Sequence, residues 1–138
     1  RVSAIDINQE AVQSTSLSAE KNGLKISTFL SDLWQNVGEQ RFDLILVNPP
    51  YYPKKPSSME EFAWYCGENF EYFVRFFSGL AIHLKPTGEA VMVLSEDCDV
   101  KTISNIAHQH GFTMDKVNQK KIFWELNYIY SIQPITNG

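Results

Sequence analysis

The chain has 138 residues, of which 43% are hydrophobic and 13% aromatic, and its formal net charge is −4. This length and composition predict one globular domain with a single hydrophobic core. The acidic balance argues against broad electrostatic attachment to nucleic acid or to an anionic membrane, and no segment approaches the roughly 18 consecutive apolar residues of a membrane-spanning helix.

The first part of the chain predicts a strand-helix-strand unit. An apolar segment over residues 2–5 ends at Asp6, so the first strand finishes on a carboxylate. A helix-compatible pattern covers residues 9–21, and Asn22-Gly23 is suited to end that helix. Residues 26–30 predict the next strand.

The segment Asn48-Pro49-Pro50-Tyr51 follows the apolar run 42–47. That run is short and continuous, which predicts a buried parallel strand, and two prolines can continue neither a strand nor a helix. The strand must therefore end at Asn48. Because ligands of open α/β sheets bind beyond the carboxyl ends of the strands, this turn is predicted to face a pocket.

The residue types in this turn suit recognition of an NH2 group. The side-chain oxygen of Asn48 and the carbonyl of Pro49 are two acceptors, and the locked φ of proline fixes the direction of the second. Tyr51 offers a flat face for a planar amide or a nucleobase, a contact worth about 1–3 kcal/mol for a base. The alternative is an ordinary Pro-Pro turn after a core strand, with Tyr51 as surface cover.

Residues 52–67 form a long, aromatic and proline-bearing connection, which we interpret as a lid or acceptor-recognition loop. Phe62, Trp64 and Tyr65 are its candidate substrate contacts. The alternative is that these aromatic side chains simply pack the loop onto the core.

The remainder of the chain predicts the second half of an α/β domain. A wide apolar stripe predicts a core helix over residues 69–83, and Lys85 to Gly88 is expected to form a turn. The other predicted elements are a buried strand over 90–94, a helix over 100–110 capped by one of the preceding acidic residues, and antiparallel closing strands over 113–121 and 128–133.

Metal chemistry and disulfides are not expected. Cys66 and Cys98 stand alone in the sequence, which is typical of free thiols in a reducing cytosol and suggests a cytoplasmic location. His108 and His110 are two residues apart on a predicted helix, so they point to different faces and form no metal pair.

The Asn-Pro-Pro-Tyr segment resembles motif IV of the class I S-adenosylmethionine-dependent methyltransferases that modify amide or exocyclic amino nitrogens. The resemblance extends over nearly the whole chain. Residues 2–8 resemble the family's second strand, whose terminal acidic residue, here Asp6, holds the ribose hydroxyls of the cofactor, with Ile7 beside it. Residues 31–34 resemble the segment around the adenine ring, which Asp32 would bind through its amino group and Leu33 would cover. The alternatives are that Asp6 only caps the helix that follows and that Asp32 caps a loop.

The resemblance implies a Rossmann-like α/β fold, with a mostly parallel sheet and an antiparallel edge strand. The family's glycine-rich first motif should precede Arg1, yet none of the seven glycines forms a Gly-x-Gly arrangement. We therefore expect residues 1–138 to be the carboxyl-terminal portion of a single methyltransferase catalytic domain that lacks its first strand. In the family that strand lies between those of Asp6 and Asn48, so its loss predicts two unpaired edges that invite self-association.

The implied activity is N-methylation of a planar amide or amino nitrogen with S-adenosylmethionine. Ser31-Asp32-Leu33-Trp34, and Gly67-Glu68-Asn69 before a Phe-rich helix, are most similar to the glutamine methyltransferases of peptide-chain release factors. A protein glutamine is therefore the favoured acceptor. The alternatives are an adenine or guanine amino group of RNA or DNA, and a non-catalytic binding module. No membrane partner is expected.

The resemblance assigns three sets of site residues. The predicted catalytic residues are Asn48, Pro49 and Tyr51. The predicted cofactor-binding residues are Asp6, Ile7, Asp32, Leu33 and Asn48, and the predicted substrate-binding residues are Pro50, Tyr51, Tyr52 and Trp64.

Overall fold

The fold is taken from a computed structural model, in which residues 1–136 are described. The chain divides into two compact units, Arg1–Gln40 and Arg41–Gly138, and each is treated by itself. Among the described residues, no helix is both long enough and apolar enough to cross a membrane.

The first unit is the predicted strand-helix-strand arrangement. Strand β1 (Val2–Asp6) is followed by helix α1 (Gln9–Lys21) and strand β2 (Ile26–Leu30). The two strands are parallel, with Val2 opposite Ile26 and Asp6 opposite Leu30. The predicted bounds of α1 and β2 are confirmed.

Local hydrogen bonds explain where α1 begins and ends. The side chain of Asn8 caps the amino end by accepting from the Glu10 N–H at 2.9 Å. At the carboxyl end, Gly23 has a φ of +65°, and the N–H of Leu24 donates to the Ala19 carbonyl at 2.9 Å. Glycine adopts this left-handed conformation without a steric penalty, which is why the helix stops there.

The second unit contains the other strands and helices. In chain order these are β3 (Phe42–Val47), a 3-10 helix (Glu60–Ala63), α2 (Glu71–His83), β4 (Leu84–Ser95), α3 (Val100–Gln109), β5 (Phe112–Ile122) and β6 (Glu125–Pro134). They form a sheet of order β3-β4-β6-β5. The pair β3-β4 is parallel, and β6 runs antiparallel to both β4 and β5, as predicted for the closing edge.

The core of the second unit joins the apolar stripe of α2 to one face of the sheet. Phe73, Phe77 and Leu80 of α2 are fully buried, and the Phe77 ring lies 6.1 Å from the ring of Phe112 on β5. The sheet contributes four inward-facing side chains with no exposed surface, namely Ala90, Met92, Leu94 and Ile132. Asp99 caps α3 by accepting from the Thr102 N–H at 3.1 Å.

The predicted turn from Lys85 to Gly88 is wrong, because this segment belongs to the continuous strand β4. The register between β3 and β4 shifts there: Phe42 lies opposite Leu84, but Leu44 lies opposite Glu89. A Cβ on Gly88 would stand 2.9 Å from the carbonyl oxygen of Phe42. The glycine therefore permits close approach of two strands at an irregularity, instead of a reversal of the chain.

The prediction that the strand before Asn48 is buried is also wrong for half of its residues. Leu44 is 54% exposed and Leu46 73% exposed, whereas Ile45 and Val47 are half-buried. In the described part of the chain β3 pairs with β4 alone, and β1 pairs with β2 alone. Each unit therefore has a strand with one unpaired side, β1 in the first and β3 in the second, as expected.

Candidate functional site

In the first unit, the two candidate carboxylates lie at one edge of the small sheet. Asp6 is opposite Leu30, so the carboxyl ends of β1 and β2 coincide, and Asp32 follows directly after β2. One oxygen of Asp6 accepts from the Asn8 N–H at 2.8 Å. Asn8 is the cap of α1, and the exposed Asp6 carboxylate stands beside the start of that helix instead of capping it.

The loop after β2 is held in a strained shape by a buried hydroxyl. Ser31 is 2% exposed; its hydroxyl donates to the Leu33 carbonyl at 2.7 Å and accepts from the Asn36 N–H at 3.0 Å. Leu33 has a φ of +51°, a conformation that costs a residue other than glycine on the order of 1–3 kcal/mol. Sequence reasoning singled out this segment but gave Ser31 no part in shaping it.

In the second unit, the Asn-Pro-Pro-Tyr turn borders a small cavity. Val47 ends β3 and pairs with Met92 of β4, so Asn48 follows the carboxyl end of β3, as predicted, beside the last residues of the parallel strand β4. A cavity of about 110 Å³, hereafter the Asn48 cavity, is lined by Asn48, Pro49, Tyr51, Ala63 and Trp64. Pro49 is buried, and the Asn48 side chain remains accessible. The turn therefore places Asn48 and Pro49, two residues that carry hydrogen-bond acceptors, at the wall of one cavity.

Backbone hydrogen bonds tie the long loop to this turn. The N–H of Tyr52 donates to the Trp64 carbonyl at 3.0 Å, and the N–H of Cys66 donates to the Tyr52 carbonyl at 2.9 Å. These bonds place the side chain of Trp64 at the wall of the Asn48 cavity, although it is 60% exposed. Phe62 and Tyr65, the other two aromatic candidates, do not line the cavity.

Tyr51, which lines the cavity, is followed by Tyr52, whose surroundings include two carboxylates. The rings of Tyr51 and Tyr52 lie 4.8 Å apart, and Tyr52, like Pro50, flanks the cavity without lining it. Burial raises the pKa of the Tyr52 hydroxyl, and the neighbouring Tyr51, Asp97 and Glu125 raise it further. The hydroxyl is therefore protonated at neutral pH. Sequence reasoning missed Glu125, because only the antiparallel return of β6 brings it to this edge.

The two cysteines are free; Cys66 is buried and Cys98 is half-buried. Burial raises the pKa of both thiols, Cys66 and Cys98, to about 11. At pH 8, a thiol with the ordinary pKa of 9.0 holds roughly 100-fold more thiolate than a thiol with a pKa of about 11. The thiolate is the reactive form.

We therefore expect iodoacetamide at pH 8 to alkylate the native thiols about 100-fold more slowly than the urea-unfolded ones. Mass spectrometry of each cysteine peptide measures this ratio. Because the folded state holds these protons more tightly, their contribution to stability is complete below about pH 9 and declines as the pH rises towards 11. Equal alkylation rates in the two states would contradict the expected burial.

Within residues 1–136, no group of three or more His, Cys, Asp or Glu side chains is placed to hold a metal ion. The polar groups at the two sheet edges are carboxylates, an amide and backbone carbonyls. Such groups bind hydroxyls and N–H groups of organic ligands through hydrogen bonds.

Parallel strand pairs, a closing antiparallel hairpin and an Asn-Pro-Pro-Tyr turn at the strand ends define a Rossmann-like domain of the methyltransferase class. The methyltransferase small domain family matches residues 1–124, and the chain belongs to this family. A methyltransferase structure from Pyrococcus furiosus has the same fold, with a TM-score of 0.72 and 20% identity over 98% of this chain and 64% of that one.

Two relatives carry more specific names. A protein of Methanocaldococcus jannaschii that is named as a protein N5-glutamine methyltransferase is 33% identical over 130 residues, which cover 91% of this chain and 66% of that protein. A release factor glutamine methyltransferase of Geobacter sulfurreducens is 36% identical over 53 residues, which are 38% of this chain and 19% of that protein. The chain thus spans about two thirds of the length of the first relative.

Proposed function

We propose that this protein is an S-adenosylmethionine-dependent N-methyltransferase whose acceptor is a planar amide nitrogen, a glutamine side chain of a protein. The observation that carries the proposal is the Asn48 cavity, which is lined by Asn48 and Pro49 together with the aromatic residues Tyr51 and Trp64. S-adenosylmethionine, when bound, supplies an electrophilic methyl group.

The two acceptors address the main difficulty of the reaction. An amide nitrogen is poorly nucleophilic because its lone pair is delocalised into the carbonyl. The Asn48 oxygen and the Pro49 carbonyl would accept both N–H hydrogens and stabilise the positive charge that develops on the nitrogen. Tyr51 and Trp64 would hold the amide plane, so positioning provides much of the rate enhancement and no strong base is needed.

The cavity size favours an amide over a nucleobase. Its volume is about 110 Å³, whereas an engineered cavity that binds benzene measures about 150 Å³. A purine is larger than benzene, and a carboxamide is smaller. The names of the two relatives also support a protein glutamine, and the release factor is the first acceptor to test.

The first unit supplies groups that fit the cofactor. The exposed Asp6 carboxylate ends β1 at the sheet edge, where it is able to accept hydrogen bonds from two ribose hydroxyls, as in dinucleotide-binding folds. Ile7 adjoins it. Asp32 and Leu33 would contact the adenine through a carboxylate oxygen and an apolar face.

The proposal is tested by two measurements on the intact gene product. Isothermal titration measures binding of S-adenosylmethionine and S-adenosylhomocysteine, and transfer of tritiated methyl groups is followed with purified release factor and, separately, with tRNA. We expect micromolar cofactor binding and label on a release factor glutamine. Label on tRNA alone would replace the acceptor, and absence of cofactor binding would leave a binding module without catalysis.

Substituting Asp6 tests its assignment directly. Because a hydrogen bond to a charged group contributes about 1.5–3 kcal/mol, we expect Asp6→Ala to weaken S-adenosylmethionine binding by about 10- to 100-fold. The matched control is Glu10→Ala, which removes a nearby exposed carboxylate in the first turn of α1. Calorimetry gives both dissociation constants, and thermal unfolding checks that each variant is folded. Unchanged affinity in Asp6→Ala would refute the role.

A further inference from the structure

The hairpin of β5 and β6 ends in an exposed tip formed by Ile122, Phe123 and Trp124. Ile122 pairs with Glu125, so Phe123 and Trp124 are the two loop residues between the strands. Phe123 is 87% exposed and Trp124 89% exposed. Large aromatic side chains with so little contact to their own chain are typical of surfaces that bind another molecule.

The turn itself does not require these residues. Phe123 has a φ of +56°, which is uncommon for a bulky side chain, and two-residue hairpin loops favour glycine, asparagine or aspartate at such a position. The sequence thus places an aromatic residue, Phe123, where the backbone favours a small one. A local conflict of this kind is expected where a residue serves binding instead of folding.

The hairpin tip and the Asn48 cavity lie at the same end of the sheet, the end at which β3 and β4 finish. Ser95 at the end of β4 pairs with Asn127 near the start of β6, and the N–H of Glu96 donates to the Leu126 carbonyl at 2.9 Å. Strand β4 runs parallel to β3, which ends just before Asn48. Across the sheet, two strand spacings, about 10 Å, separate β6 from β3. Along the strands, Asn48 is level with Ile129 of β6, and the tip at Trp124 lies about 17 Å beyond that level. A macromolecule seated at the cavity is therefore within reach of the tip.

The charge around the tip differs from that of the whole chain. Three lysines and one glutamate between residues 116 and 128 give a local charge of +2, whereas the chain carries −4. Lys120 and Lys121 are both exposed and lie directly before Ile122. The partner surface that fits this tip has an apolar pocket bordered by carboxylates.

We propose that the hairpin tip is a second docking element for the acceptor protein, which it contacts outside the glutamine that enters the Asn48 cavity. One observation favours a protein over a nucleic acid. The exposed apolar side chains include the aliphatic Val117 and Ile122 beside the two aromatic ones, and aliphatic groups fit a protein pocket better than a base stack. The inference rests on the proposed function, because it names a second contact of the same acceptor.

The test compares an intact acceptor with a short one. Steady-state methylation is measured with purified release factor and with a short peptide that contains its acceptor glutamine. The variant Phe123→Gly with Trp124→Ser removes both aromatic side chains and gives the loop a residue that tolerates positive φ. We expect KM for release factor to rise at least 10-fold, while kcat and the peptide KM stay within 2-fold and the thermal midpoint does not fall.

Two further variants sharpen the result. Lys120→Glu with Lys121→Glu is expected to raise KM for release factor and not for the peptide. Ile82→Ser serves as the control, since Ile82 is 59% exposed near the carboxyl end of α2, which leads into the opposite end of β4.

The outcomes separate this inference from the proposed function. Methylation of release factor that is unaffected by the tip variants overturns the docking role and leaves the proposed function standing. The docking role is also overturned if the tip variants raise KM equally for the peptide and for release factor. It is likewise overturned if they weaken tRNA binding in a filter assay and leave release factor methylation unchanged. If the wild-type protein methylates neither release factor nor peptide, the proposed acceptor is refuted, and with it the proposed partner of the tip.

Discussion

Asn48→Ala is expected to lower kcat for methyl transfer by about 10²- to 10³-fold, the range found when one preorganised hydrogen-bond group is removed from a charge-stabilising site. Asn48 is exposed and lines the Asn48 cavity, and in the proposed reaction its oxygen is one of the two acceptors. Alanine leaves the Pro49 carbonyl in place, so the substrate amide loses one of its two proposed hydrogen-bond acceptors. Cofactor affinity should change by less than about 3-fold, because the substitution mainly affects positive charge that develops during the reaction.

Single-turnover rates with a saturating acceptor and calorimetry with S-adenosylmethionine measure these two quantities. The control is Asn105→Ala, which removes an exposed asparagine from α3. If the Asn48 variant loses cofactor affinity and turnover to the same extent, Asn48 acts on the cofactor. Its proposed role in binding the substrate amide is then refuted.

Phe77→Ala is expected to reduce the free energy of unfolding by about 3–5 kcal/mol, the usual result of removing a fully buried phenylalanine. Phe77 has no exposed surface, and its ring packs 5.2 Å from Phe76 and 6.1 Å from Phe112. The side chain therefore joins α2 to β5, and alanine would leave a cavity between helix and sheet. A loss of this size is a large fraction of the stability of an ordinary domain.

Urea unfolding followed by circular dichroism measures the effect. Val74→Ala is the matched control on the same helix, where Val74 is 42% exposed and its truncation should cost less than about 1 kcal/mol. Comparable losses in the two variants would show that the apolar stripe of α2 does not define the core of the second unit.

Elements with strong local signals were predicted well from the sequence. The bounds of α1 and β2 follow from a cap, a glycine and a short apolar run, and all of these act within a few residues. Helix α2 begins two residues later than predicted, at Glu71, since Phe70 adopts a left-handed conformation before it. The hairpin strands are longer than predicted because an exposed Phe-Trp pair is no ordinary turn signal.

Features that depend on distant neighbours were not predictable. Gly88 resembles a turn residue in the sequence, but its role depends on the backbone of Phe42, which is far away along the chain. Leu44 was expected to be buried because its own sequence does not show that β3 pairs with β4 alone in the described part of the chain. At the Asn48 cavity the sequence indicated the turn and Trp64, whereas Ala63 carries no chemical signal and joins the wall only through the fold of the loop.

The one-sided pairing of β3 also divides its backbone amides into two kinetic classes. Successive N–H groups of a strand point to opposite sides, so those that face β4 are bonded and their neighbours face away from it. In native-state hydrogen exchange, we expect alternate amides across residues 42–47 to exchange slowly and rapidly in turn. Any strand that later joins this edge would slow the rapid set alone, which makes those amides a residue-level reporter of sheet completion.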